Sequence, residues 1–205
     1  MRGTDKNAVA ARHWLSTKEM AYCALFAVLT GVGANIRIPL PYVPMTLQTV
    51  LVLMSGVLLG GRRAAVAMAM YMLMGLLGLP VFAGGGGFHS LISPSFGFIV
   101  GFIPAAWITG HVCEIFKVSG NSLHDAAVRS LACLSGVFAY DLVGCLWLYF
   151  NLNFIVGKGF TVSQTIAAGL TPFLLTDAIK LAVVTIISGV ISNRLEKSAW
   201  RPFAD

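Results

Sequence analysis

The sequence predicts an all-α membrane protein, a bundle of six transmembrane helices with both termini cytoplasmic. Three observations carry that expectation. Hydrophobic residues make up 57% of the 205-residue chain and charged residues only 11%, and the mean hydropathy is +0.82. A soluble domain carries roughly a quarter charged residues, so this chain lacks the polar surface a water-soluble globule needs. Six apolar segments recur along it, and at roughly 20 residues per span they leave no room for a second soluble domain. The basic residues, finally, gather in alternate loops.

The elements follow in order. Residues 1–16 mix Arg2, Asp5, Lys6, Arg12 and His13 and read as a cytoplasmic tail, with Trp14 and Leu15 suited to a short surface helix. The apolar stretch beyond runs on without a small-residue cleavage site, unlike a secretory signal. The membrane domain spans 17–194 and a second cytoplasmic tail spans 195–205. The first segment covers 20–36. Residues 35–46 follow, and Pro39, Pro41 and Pro44 make them stiff and extended. The second segment (46–60) and the third (64–79) are short for a span and need tilt or shielding by neighbours. Only Gly60-Gly61 and the basic pair Arg62-Arg63 separate them, which predicts a tight two-helix hairpin.

Leu79-Pro80 closes the third segment, since the residue before proline is driven out of the helical region. Residues 80–93 contain Gly84-Gly85-Gly86-Gly87, a run that can lie close against a ligand, fold over a cavity or serve as an ordinary turn. The fourth segment covers 94–113, the fifth 126–150 and the sixth 172–192. Ser93-Pro94 and Thr171-Pro172 each set a capping residue before a proline suited to a first helical turn.

Six spans put Arg2, Lys6, Arg12, Lys18, Arg62, Arg63, Lys117, Arg129, Arg194, Lys197 and Arg201 on one side. Only Arg37 and Lys158 fall on the other. That bias places both termini in the cytoplasm and the protein in the cell membrane as a multi-pass chain. The net charge of +6 is therefore topological, and no aromatic-interleaved basic surface offers itself to nucleic acid. Cys23, Cys113, Cys133 and Cys145 lack metal-ligand spacing and read as small buried packing residues. His13, His89, His111 and His124 are too scattered to share a metal, so none is expected.

Chemistry concentrates in the sixth segment. Each charge at mid-membrane costs roughly 2.5–3.5 kcal/mol on insertion scales, so Asp177 and Lys180 should not face lipid. Three residues apart, they share a helical face. They read either as a buried ion pair that fixes helix packing or as a recognition pair in an apolar pocket. Lysine can accept a substrate carboxylate and aspartate can accept ligand N–H donors. Asp141, beside Tyr140 at similar depth in the fifth segment, either joins that cluster or faces a neighbouring helix. Tyr140, Phe98, Phe96 and Trp147 are aromatic candidates for packing on an apolar ligand, and Trp147 also suits an interfacial anchor. Cys23, Ala27 and Gly31 form a small-residue stripe, as do Gly97 and Gly101, for packing within the chain or against a partner. There is no G-x-x-x-x-G-K-[ST] phosphate loop, no H-E-x-x-H and no G-x-S-x-G, so neither that route of ATP hydrolysis nor those hydrolytic chemistries are carried here.

Three blocks carry a family likeness. Val43-Pro44-Met45-Thr46-Leu47-Gln48-Thr49 running into Ser55-Gly56-Val57-Leu58-Leu59-Gly60 is the first. Gly78-Leu79-Pro80-Val81-Phe82-Ala83-Gly84-Gly85-Gly86-Gly87, followed by Ser93-Pro94-Ser95-Phe96-Gly97-Phe98-Ile99-Val100-Gly101-Phe102, is the second. Asp177-x-x-Lys180 is the third. In this order, over about residues 16–194, they resemble the BioY family of biotin transporters. The resemblance implies a six-helix substrate-binding component of an energy-coupling factor transporter. It would work with a transmembrane coupling protein and two cytoplasmic ATPases, which suits the missing phosphate loop. It implies biotin as ligand, with Asp177 and Lys180 as binding residues and the outward loops, including Thr46, Gln48, Gly85 and Gly86, closing over it. Asp177 would accept ureido N–H bonds and Lys180 meet the carboxylate, with the roles exchangeable or bridged by water. The stripe Cys23, Ala27 and Gly31 would dock on the coupling protein. A solitary facilitator would keep the pocket and need no ATPases. An intramembrane enzyme with Asp141 or Asp177 as base would need a nucleophile or metal that the sequence does not show. A structural scaffold would leave two deep charges unexplained.

Overall fold

The computed structural model describes residues 15–118 and 122–197, with side chains to residue 194. The surface helix expected near the N-terminus, with Arg2, Arg12 and Trp14, and the tail residue Arg201 fall outside the described residues. Helix α1 (Thr17–Asn35) begins at a capping box: the Ser16 hydroxyl accepts from the Glu19 N–H, and the Glu19 carboxylate accepts from the Ser16 N–H. The helix therefore starts at Thr17, ahead of the predicted segment. Two strands of two residues each, β1 (Arg37–Ile38) and β2 (Met45–Thr46), then pair antiparallel, Arg37 with Thr46 and Ile38 with Met45. The proline-rich stretch is thus an extended hairpin.

Helices α2 (Gln48–Leu59) and α3 (Gly61–Leu76) are joined by Gly60 alone, at φ +81°, a region in which only glycine is at ease. The predicted tight hairpin is present. Glu114 accepts a hydrogen bond from the Gly61 N–H at 2.9 Å, and Arg63 reaches back to Glu19 at 2.5 Å. A 3₁₀ turn (Phe88–Ile92) precedes α4 (Phe96–Ile115). Helix α5 (Leu123–Phe150) starts at the Ser122 cap and continues as a π turn (Asn151–Ile155). A short α6 (Val162–Gly169) leads to α7 (Leu174–Lys197).

Neither proline opens its helix. Pro94 and Pro172 sit in turns ahead of α4 and α7, where the carbonyls of Ser93 and Leu170 are engaged as acceptors from the N–H groups of Phe96 and Phe173. Among the described residues, three helices are long and apolar enough to cross a membrane: α4, α5 with its π turn, and α7; α2 is a shorter apolar helix. The core lies between α1, α2, α3, α4 and α5 and contains Phe26, Leu53, Met68, Tyr71, Phe102 and Cys133. Helix α4 is central, packed on α2, α3 and α5, and 61% of its apolar stretch is buried against 22% for α7. Arg129, grouped above with the loop cations, instead lies fully buried in the second turn of α5.

The stripe on α1 also falls inside. Cys23 and Ala27 are completely buried, the Cys23 thiol donates to the Arg63 carbonyl at 3.3 Å, and Gly31 is closed off by the Val81 side chain. These three residues serve the packing of α1 against α3 and the loop beyond it. The physical reason is size: only small side chains let the two helices approach.

Candidate functional site

A cavity of about 170 Å³ lies between the extended hairpin, the 80–95 loop and helices α2, α4, α5 and α7. Its polar end is built from α7 and α5. Asp177 falls in the first turn of α7, where its N–H donates to the Phe173 carbonyl at 2.7 Å. Its carboxylate accepts from the Tyr140 hydroxyl at 2.6 Å and from Lys180 Nζ at 3.0 Å. Lys180 Nζ also donates to Thr49 Oγ1 at 3.4 Å. Asp177 and Lys180 side chains are 7% and 12% exposed. A pair so enclosed holds together only if its remaining hydrogen-bonding capacity is met, which is the work of Tyr140 and Thr49.

The walls are aromatic and aliphatic. Phe98 lines the cavity with its ring centroid 6.3 Å from that of Tyr140 and 6.4 Å from that of Phe173; Phe82, Phe102 and Ile99 complete the surface. Gly144 makes room for the Phe98 ring, since a Cβ there would strike it. Thr46 and Gln48 come from the hairpin and the start of α2. Thr46 Oγ1 donates to Gln48 Oε1 at 3.1 Å, Gln48 Nε2 donates to the Tyr71 hydroxyl, and that hydroxyl donates to the Val81 carbonyl at 3.2 Å. This largely buried chain ties the hairpin to the loop that carries the glycine run. Tyr42 in the hairpin meets Phe160 edge-on at 5.5 Å, and Lys158 lies 5.0 Å above the Tyr42 ring. The extended hairpin and the loop before α6 thus touch.

Of the residues singled out in the sequence, Thr46, Gln48, Phe98, Tyr140 and Lys180 line the cavity, and Asp177 stands directly behind Tyr140 and Lys180. Gly85 and Gly86 do not line it. Gly85, at φ +111°, closes a bridge with Phe82, and the absence of a Cβ on Gly86 admits the Leu79 carbonyl; Gly84 is the member of the run that faces inward. Asp141 is also absent from the lining. It is 8% exposed and opens, together with Asp177, onto a separate groove between α5 and α7. The reason is helical geometry: the neighbouring Tyr140 takes the cavity face, and one residue turns the next side chain by roughly 100°.

Phe96 and Trp147 play a supporting part, their rings meeting edge-on at 6.1 Å. Trp147 packs on Gly97 and donates its indole N–H to the Ser93 carbonyl at 2.9 Å, while Asn151 Nδ2 donates to the Ile92 carbonyl at 2.8 Å. Together they fix the end of the loop that leads into α4. Sequence reasoning missed Thr49, Phe102, Phe173 and His89 as lining residues. Thr49 stood in a quoted block and Phe173 beside Thr171-Pro172, but nothing in residue type distinguished either from ordinary helix and turn residues.

A mostly helical membrane bundle with a part-enclosed cavity, aromatic walls and a buried ion pair defines a membrane component that binds a small molecule. The comparisons with known proteins give it a family. The BioY family profile matches residues 6–197. The chain is 35% identical over 182 residues to a probable biotin transporter BioY of Lysinibacillus sphaericus, covering 89% of this chain and 88% of that one. It is 36% identical over 172 residues to the biotin transporter BioY of Thermotoga maritima, covering 83% and 94%. It superposes with a TM-score of 0.71 and 25% identity on the crystal structure of the S-component for biotin from an ECF-type ABC transporter, covering 96% of this chain and 95% of that one. The chain belongs to the BioY family.

Proposed function

We propose that this protein takes up biotin as the six-span, membrane-embedded binding component of an energy-coupling factor transporter, with both termini in the cytoplasm. The observation that carries the reading is the cavity itself: Lys180, ion-paired to Asp177 behind it, lines an aromatic chamber bounded by the extended hairpin and the 80–95 loop. Biotin is chemically matched to it, with a ureido ring that presents N–H donors and a carbonyl acceptor, an apolar thioether ring and chain, and a carboxylate. Asp177 accepts ureido N–H bonds, and Lys180 meets the ureido oxygen or the carboxylate. Tyr140 holds Asp177 in place and aimed. Phe98, Phe102 and Phe173 cover the apolar rings. The loop of residues 37–46 caps the site, and release follows reorientation of the bundle against a coupling protein driven by two ATPases.

Calorimetric titration of the purified protein with biotin, with thiamine and riboflavin as controls, tests this. Tight and selective binding of biotin is expected. A well-folded sample that binds none of the three, or all three alike, overturns the assignment.

A further inference from the structure

In the biotin reading proposed above, Lys180 in the cavity wall, with Asp177 bonded behind it, meets one end of the ligand. The pair's charged atoms lie 3.0 Å apart. They can meet neighbouring donor and acceptor atoms of one head group, as a cyclic urea offers, but not both ends of an extended molecule. Biotin, the ligand proposed above, has a second polar end in its carboxylate, held away from the ureido ring by a four-carbon chain. A carboxylate left unpaired inside a cavity is costly, so it needs a partner of its own.

Three lining side chains carry nitrogen. Lys180 is bonded to Asp177 and Thr49, and Gln48 donates to Tyr71. The third is His89, which is exposed at the mouth and has no hydrogen-bond partner among the described residues. It also stands on a fixed support. The turn that carries it opens at Gly87, at φ +101°, whose N–H donates to the Gly75 carbonyl at 2.7 Å. Its far end is held by Asn151 and Trp147 through the Ile92 and Ser93 carbonyls. The imidazole is thus presented at the open end by pinned backbone, with the aromatic wall between it and the ion pair.

We infer that His89 is a specificity-determining residue: its ring N–H receives the ligand carboxylate at the mouth, while Asp177 and Lys180 hold the ureido ring. The inference rests on the biotin reading of the cavity and assigns the ligand its direction, ureido end inward.

The test is calorimetric titration of the full chain and of H89A, H89F and K180A with biotin and with biotinamide, in which a neutral amide replaces the carboxylate. Amidation should weaken wild-type binding ~10-fold or more, the effect of one hydrogen bond to a charged group. H89A and H89F should lose a similar factor against biotin and then bind biotinamide as wild type does. K180A should weaken both ligands alike. H89F keeps an aromatic ring without its N–H, and a thermal melt of each variant shows that it is folded. A His89 variant that keeps wild-type affinity for biotin, or loses equal factors against both ligands, overturns the inference alone. So does sensitivity to amidation that vanishes in K180A. A wild-type protein that binds neither compound overturns the biotin reading and this inference with it.

Discussion

Tyr140 and Lys180 divide the two oxygens of Asp177 between them, at 2.6 Å and 3.0 Å. That arrangement leaves the carboxylate oriented behind the cavity wall, holding Tyr140 and Lys180, which line it. Replacing it by an amide keeps the shape and removes the charge. Asp177→Asn should therefore weaken biotin binding by about 10- to 150-fold, corresponding to roughly 1.5–3 kcal/mol for a hydrogen bond to a charged group. Tyr140→Phe removes a supporting donor and leaves the charge, and should cost about 1 kcal/mol, or ~5-fold. Titration of both variants decides the matter: wild-type affinity in D177N would sink the ion pair as the recognition element. The pair was legible in the sequence because charges inside a span are expensive and so demand a reason. His89 and Thr49 were not, since a histidine in a loop and a threonine in a helix carry no such demand. Asp141 was open in the sequence because depth alone says nothing about which face of a helix a side chain takes.

Helix ends and helix contacts obey a different logic, that of small residues and caps. Gly110 of α4 lies against the backbone of Gly60 and Gly61, so a Cβ there would meet main-chain atoms that cannot yield by a rotamer change. Gly110→Ala should destabilise the bundle by about 1–3 kcal/mol, the usual penalty of overpacking. Gly84, with nothing within 4 Å of its would-be Cβ and no positive φ, is the matched control, and Gly84→Ala should leave the unfolding midpoint unchanged. Thermal unfolding in detergent reads both; equal shifts would mean that the close approach of α3 to α4 does not govern stability. Five of the six apolar segments are legible to within about three residues because hydrophobic runs this long have few alternatives. The sixth runs past its expected end, to Lys197, because the polar residues of its last turns interrupt the apolar run without breaking the helix. Helix α6 is not legible from periodicity, although Thr161-Val162-Ser163-Gln164 is a capping box that forms as such. So short a helix carries too few residues for a period to register, so only the cap could have revealed it.

The molecule as a whole is asymmetric. Helices α1 to α5 share a common core while α7, which carries the ion pair, leans on α2 and α5 from the edge. On α1 the small stripe faces inward, and the opposite face, with Leu25, Val28 and Val32 about half exposed, is the one open to a neighbour in the membrane. A binding component driven by a separate coupling protein must keep such a face free of its own core and remote from the ligand. Capture and transport should then be separable. Val28→Trp should leave biotin affinity unchanged, since the residue lies outside both core and cavity. Uptake by cells that coexpress the coupling protein and its ATPases should fall to background, because a ring of that size prevents close helix packing. The same measurement without those partners separates the two modes of transport: a dependent component takes up no biotin alone, whereas a solitary facilitator does so and ignores the substitution on α1. Uptake that persists in the absence of any coupling proteins would therefore retain the binding site described here and remove the energy-coupling module from the mechanism.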